Sequence, residues 1–159
     1  FEFLTFGQVG DGEVLVVRRE LRDRQLGTVA VRRFDAMDAR ALESLAHQYL
    51  QSSNGVGPSA DDLLARWRIE HGDRNGQVLR YRRHGCAQCD GTGYRGRLGL
   101  HELLVNDERL RERVRHRANA TDLQAAGLSS GMVTLRQDGI EKVLAGLTDM
   151  AEVVAAANQ

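Results

Sequence analysis

Apolar and polar positions change period several times along this chain. Over residues 1–26, Phe1, Phe3 and Phe6 precede the turn signal Asp11-Gly12 and the apolar run Val14-Leu15-Val16-Val17, a pattern that predicts a hairpin or strand pair. From Asp35 to Leu50 the residues Leu42, Leu45, Tyr49 and Leu50 recur at helical spacing behind the possible caps Asp35 and Asp38, so a helix is expected. It stops at the linker candidate SSNGVGPS, which holds the single proline, Pro58. Ser59 or Asp61 then caps a short helix carrying Leu63, Leu64 and Trp67, and HGDRNGQ reads as a polar turn.

Two short strands are expected next, Gln77 to Tyr81 before the cysteines and Tyr94 to Leu104 after a glycine-rich turn. His101 and Glu102 would sit in or at the end of that second strand, one facing in and one out. Beyond Asn106 the pattern is helical: Leu110 with Val114, Leu123 with Ala126 behind Thr121, then Ile140, Val143, Leu144 and Leu147 behind a Thr134-to-Gln137 capping box. A last helix starts near Thr148 or Asp149 and shows Met150, Val153 and Val154. Gly131 and Gly146 fall where helix C-caps need left-handed backbone. The fold class is α+β, mainly α: a β-rich segment at 1–33, a helical segment at 34–80, a small β knuckle around the cysteines at 81–105, and a C-terminal helical subdomain at 106–159.

Composition narrows the class. The 159 residues carry 22 basic and 22 acidic side chains, with 42% hydrophobic and 28% charged residues, the profile of a soluble globular protein. No run approaches the ~18 apolar residues of a membrane span, and FEFLTFGQVG has no secretory-signal pattern, so a cytoplasmic chain is expected. Aromatics make up 5% with one Trp, which leaves a core of Leu, Val and Ala. Every basic residue but Lys142 is arginine. Arg109, Arg111, Arg113, Arg115 and Arg117 form a local run that reads first as a solvated helix paired with Glu108 and Glu112, and second as a phosphate-binding stripe. The balanced charge and pI of about 7.2 argue against nucleic acid.

The sharpest chemical motif is Cys86-Ala87-Gln88-Cys89-Asp90-Gly91-Thr92-Gly93. Its spacing lets both thiolates face one tetrahedral metal, while the glycines let backbone N–H groups fold toward the sulfurs. One pair is half a zinc site. His47, His71, His84 or His101, or a second copy of the chain, would have to complete it. An unligated turn and a disulfide are the competing readings. The phosphate cradle G-x-x-x-x-G-K-[ST] is absent, since Lys142 lies inside an expected helix, so the chain by itself should not hydrolyse ATP. Gly7, Gly10 and Gly12 lack dinucleotide spacing, no G-x-S-x-G occurs, and position 105 is Val where a zinc-protease motif after His101-Glu102 needs His.

From Gly85 to Val154, GCAQCDGTGYRGRLGLHELLVNDERLR followed by GMVTLRQDGIEKVLAGLTDMAEV resembles the C-terminal region of the general secretion pathway protein E family, the ATPases of type II secretion and type IV pilus assembly. The matching stretches are Cys86/Cys89, Thr92 to Leu103, Gly131-Met132-Val133-Thr134-Leu135, Asp138-Gly139 with Lys142-Val143, and Gly146-Leu147-Thr148. Phe34 to Arg83 also resembles the insert that one branch carries between two cysteine pairs. The resemblance implies a hexameric protein-transport motor whose catalytic lobes lie N-terminal to this region and bind ATP and Mg²⁺, with neighbouring subunits and inner-membrane platform proteins as partners. It also implies a tetracysteine zinc element. Here Gly27 and Ala30 fall where the first pair belongs, which weakens or removes zinc binding.

The expected function is therefore an accessory, non-catalytic region of such a motor, a lever packed on the catalytic lobe and peripheral to the inner membrane through partners. Arg95 and Arg97 would pair with carboxylates or reach a neighbour's phosphates. The alternative is a freestanding zinc-knuckle interaction module, because C-x-x-C-x-G-x-G also resembles the repeat of the Hsp40 cysteine-rich region, a family that needs several copies.

Overall fold

The structure, a computed structural model, describes residues 7–9, 12–14, 33–83, 85 and 87–157. Phe1, Phe3, Phe6, the run Leu15 to Val17, Gly27, Ala30, His84 and Cys86 lie outside the described residues. The N-terminal hairpin is present as β1 (Gly7–Val9) and β2 (Gly12–Val14), antiparallel. Gly12, expected in the turn, is in the ladder opposite Val9. A second antiparallel pair joins β3 (Arg33–Ala36) to β4 (Leu79–Arg82), with Phe34 opposite Tyr81. Met37 N extends this pairing to Val78 O at 2.9 Å.

Side-chain caps set the helix starts. Asp38 accepts from Ala41 N at 2.8 Å and opens α1 (Ala39–Ser52), while Ser59 accepts from Asp62 N at 3.1 Å and opens α2 (Ala60–Glu70). Asp107 opens α3 (Glu108–Arg115) and Asn119 opens α4 (Ala120–Ser129) in the same way. Each cap gives one orphan N–H of the first turn a partner. Before α5 (Leu135–Leu144) the capping box is complete: Thr134 Oγ1 accepts from Gln137 N at 3.2 Å, and Gln137 Oε1 accepts from Thr134 N at 2.9 Å. Asp149 Oδ1 accepts from the Ala151 and Glu152 amides at the start of α6 (Met150–Ala157). Asp35 caps nothing because it lies in β3, and Asn119, not Thr121, caps α4.

The chain between α1 and α2, residues 53–59, closes a helical hairpin rather than a loose tether. Asn54, Gly55 and Gly57 take positive φ there, and Ser53 is fully buried. Leu42, Leu45, Ala46 and Tyr49 of α1 meet Leu63 and Trp67 of α2, Val78, and Ile140 and Leu144 of α5 in one cluster. The Tyr49 and Trp67 rings pack edge-on, centroids 5.5 Å apart at 85°, the favourable quadrupole arrangement. Gly139 lets α6 approach α5, since a Cβ there would sit 2.4 Å from Val153 Cγ1. Gly131 and Gly146 have φ of +93° and +69°, as the C-cap reading requires. Gly146 is doubly constrained, because a Cβ would meet the Tyr81 ring at 2.5 Å.

The described fold is α+β and mainly helical, with three further differences from the sequence pattern. Residues 94–104 form no strand; at Cys89 there is one turn of 3₁₀ helix, Ala87–Cys89, followed by bends and a stretch without regular secondary structure. The reason lies in its partners, since side chains of α5, not another backbone, hold it. His101 and Glu102 are both exposed instead of facing opposite ways. Val114 at 57% and Leu147 at 45% exposure lie outside the core, because α3 buries only Leu110 and the left-handed Gly146 ends the helical face before position 147. Among the described residues, no helix is long and apolar enough to cross a membrane.

Candidate functional site

The cysteine turn is built by its backbone. Cys89 is buried, and its Sγ accepts from Gly93 N at 3.2 Å. Thr92 folds back by donating from N and Oγ1 to Cys89 O at 3.0 and 2.6 Å. Asp90, Gly91 and Gly93 take positive φ, the conformation that wraps successive amides around a sulfur. Tyr94 leaves the turn toward α6, its hydroxyl donating to Asp149 Oδ2, and Arg83 lies over its ring, 5.7 Å from the centroid. Burial first, then the bond to Asp149, pushes the Tyr94 phenol up to about 12. For Asp149 burial pulls upward, but the Tyr94 hydroxyl and the Glu152 and Ala151 amides outweigh it and hold the carboxyl below its ordinary value.

The irregular stretch after Arg95 is fastened to α5 by a set of polar contacts. Asp138 Oδ2 accepts from His101 N at 2.8 Å and pairs with Lys142 one turn along. Lys142 Nζ donates to Gly99 O at 2.8 Å and lies 3.3 Å from His101 Nδ1. Glu102 Oε2 accepts from Leu135 N, in the first turn of α5, at 3.2 Å, where an anion complements the helix dipole. The sole lysine and the Asp138-Gly139 pair thus act together: Asp138 and Lys142 grip the stretch on one side of α5 while Gly139 admits α6 on another. The stretch leaves Leu98, Leu103, Leu104 and Val105 at 46%, 41%, 45% and 39% exposure, with Leu104 reaching Gly127 of α4.

A third constellation joins α2 to α5 and was not foreseen from sequence. Glu141 Oε1 accepts from Arg66 Nη2 at 2.6 Å and Trp67 Nε1 at 2.9 Å, and its Oε2 lies 2.9 Å from His71 Nε2. Glu70 is 3.6 Å from Arg66 Nε. Glu141 sits between the motif residues Asp138-Gly139 and Lys142-Val143, at a position the pattern leaves open. Its signal is a set of contacts seventy or more residues apart.

The remaining candidates are dispersed. Arg95 and Arg97 are exposed and take part in no ion pair among the described residues. In the arginine run, Arg111 and Arg115 pair with Glu108, while Glu112 faces His116. Of the two expected zinc ligands, only Cys89 is described. The N–H to sulfur bond suits a metal-bound thiolate, but the sequence holds two cysteines, and the group of three metal-ligating side chains found among the described residues does not include Cys89.

The family profile for "Type II/IV secretion system protein" matches residues 39–155. A type IV pilus assembly ATPase PilB of Thermus thermophilus is 44% identical over 94 residues, 59% of this chain and 10% of that protein. The type II secretion system protein E of Pectobacterium carotovorum is 47% identical over 70 residues, 44% of this chain and 14% of that protein. The type II secretion system protein HxcR of Pseudomonas aeruginosa is 32% identical over 126 residues, 76% of this chain and 26% of that protein. The chain thus spans between a tenth and about a quarter of the length of these relatives. Both the capped helix α5 with its Asp138–Lys142 grip and the Glu141 junction fall inside the matched span, and the chain belongs to the type II/IV secretion system protein family.

Proposed function

We propose that this chain is the C-terminal accessory region of a hexameric secretion or pilus-assembly ATPase, non-catalytic by itself and cytoplasmic, that packs on the catalytic lobe and passes its movements to neighbouring subunits and inner-membrane partners. The observation that carries this reading is the stretch 97–105. It has no regular secondary structure, is gripped by Asp138 and Lys142 of α5, and leaves four large apolar side chains, Leu98, Leu103, Leu104 and Val105, exposed. Such a face gains stability when another surface covers it. ATP and Mg²⁺ belong, in this reading, to the lobe that carries the phosphate cradle, and this chain contributes no group to that chemistry.

Hydrogen exchange tests the reading. Amides of residues 97–105 exchange rapidly in this chain alone and are protected in the full-length parent. Equal exchange in both contexts overturns the reading. A zinc-binding interaction module is the second reading, and the Gly93 N–H to Cys89 Sγ bond favours it. Cys86 and Cys89 would there be two of four ligands, and a chelator-induced fall in melting temperature, absent in Cys86→Ala, would support it.

A further inference from the structure

We propose that Glu70, His71 and Glu141 form a binding site for a divalent transition metal, separate from the cysteine pair and lying across the junction of α2 with α5. One ligand atom from each of the three lies within 4.8 Å of the other two. His71 Nε2 and Glu141 Oε2 are 2.9 Å apart. Metal bonds to imidazole nitrogen and carboxylate oxygen are each about 2.0–2.2 Å, so two donors at right angles around one ion are separated by about 3 Å. The observed spacing accepts an ion with little movement of either side chain.

The surrounding groups prepare the carboxylate. Glu141 Oε1 is engaged by Arg66 and Trp67, which fixes the plane of the group and presents Oε2 to His71 and the ion, as outer hydrogen-bond partners do in metal sites. An ion displaces the direct His71–Glu141 bond, so His71 binds it as a neutral ring with the Nε2 lone pair free. The two carboxylates with Arg66 leave a net charge of −1 to receive the cation. Glu70 is exposed and His71 and Glu141 are half-buried, so the ion enters from solvent and retains water at its open positions. One imidazole with two carboxylates suits Zn²⁺, Co²⁺ or Ni²⁺ over Ca²⁺ or Mg²⁺. Bound metal joins the two helices through ligands from each and stabilises the fold by mass action.

Trp67, the single tryptophan of the chain, donates to the Glu141 carboxylate and so reports on the site directly. Titration of the full chain with Co²⁺ or Ni²⁺ is expected to quench its fluorescence saturably with one ion per chain, a chelator to restore it, and Zn²⁺ to compete. Glu70→Gln, an exposed and near-isosteric change, and His71→Ala are each expected to weaken the quenching midpoint about tenfold or more, while Cys86→Ala leaves it unchanged. Quenching that fails to saturate, that is unmoved in both Glu70→Gln and His71→Ala, or that vanishes with Cys86→Ala would overturn the site.

Discussion

The junction of α1, α2 and α5 and the stretch 97–105 both rest on α5, yet they use it in opposite ways. In the junction, Ile140 and Leu144 disappear among Leu63, Trp67 and Tyr49, and the Glu141 carboxylate beside them is met by three partners. In the stretch, α5 offers only polar ends: Asp138, Lys142 and the Leu135 amide take hold of Gly99, His101 and Glu102, while Leu98, Leu103, Leu104 and Val105 stay exposed. Burial makes the first region self-sufficient. The second is held in shape but left uncovered, as suits a segment whose apolar partner is another surface.

The largest effect should come from the junction. Trp67→Ala removes a fully buried ring, its edge contact with Tyr49 and a donor to Glu141, and is expected to destabilise by about 3–5 kcal/mol in denaturant unfolding. Trp67→Phe keeps much of the apolar volume and isolates the lost N–H, about 1–2 kcal/mol. A loss below about 1 kcal/mol for the alanine variant would mean that the two regions do not differ as described. Glu141→Gln comes next. It keeps the shape but withdraws the charge facing Arg66 and His71, with an expected loss of about 1–3 kcal/mol in the same measurement.

Lys142→Ala probes the other region. Its ammonium ties Asp138 to Gly99, and the pair is mostly shielded from water. The expected global loss is about 0.5–1.5 kcal/mol, but the local effect should be disproportionate. Amides of 97–105 should exchange faster while those of α1 and α2 hardly change. A uniform acceleration across the chain would show that the grip belongs to the core.

The unequal legibility of the two regions has the same cause. Helical periodicity exposes what packs on the chain's own core, so Leu42, Leu45, Tyr49, Leu63, Trp67, Ile140 and Leu144 could be read directly, as could the Thr134–Gln137 box, whose two bonds are local. Val114 and Leu147 satisfy the same periodicity yet stay exposed, because spacing marks a face without saying what covers it. Apolar spacing in 94–104 suggested a strand for that reason, although none of the described strands pairs with it. The cysteine spacing and the glycines that let an amide fold toward a sulfur are plain in sequence, and the Gly93 amide does so at Cys89. Glu141 carries no local signature, since its partners come from another helix.

The smallest effect, and the one that locates the boundary between the regions, concerns Tyr94 and Asp149, where the cysteine turn meets α6. The Tyr94 phenol is raised from 10.0 to about 12, so the fold favours its neutral form. That contribution is complete below about pH 10 and is lost as pH climbs toward 12. Asp149 is lowered from 3.8, so the fold favours its ionised form. Its contribution is present above about pH 4 and is lost as pH falls through the depressed value. Tyr94→Phe removes the titrating phenol and the hydrogen bond that helps hold Asp149 down, and melting temperature followed against pH should show a shallower decline at each extreme in the variant than in the parent chain. Guanidinium groups do not titrate in either range, and the other titrating groups are common to both proteins, so the difference curve reports this pair. Parallel curves for the two proteins would detach the cysteine turn from α6 and leave the region fastened by its contacts with α5 and α4.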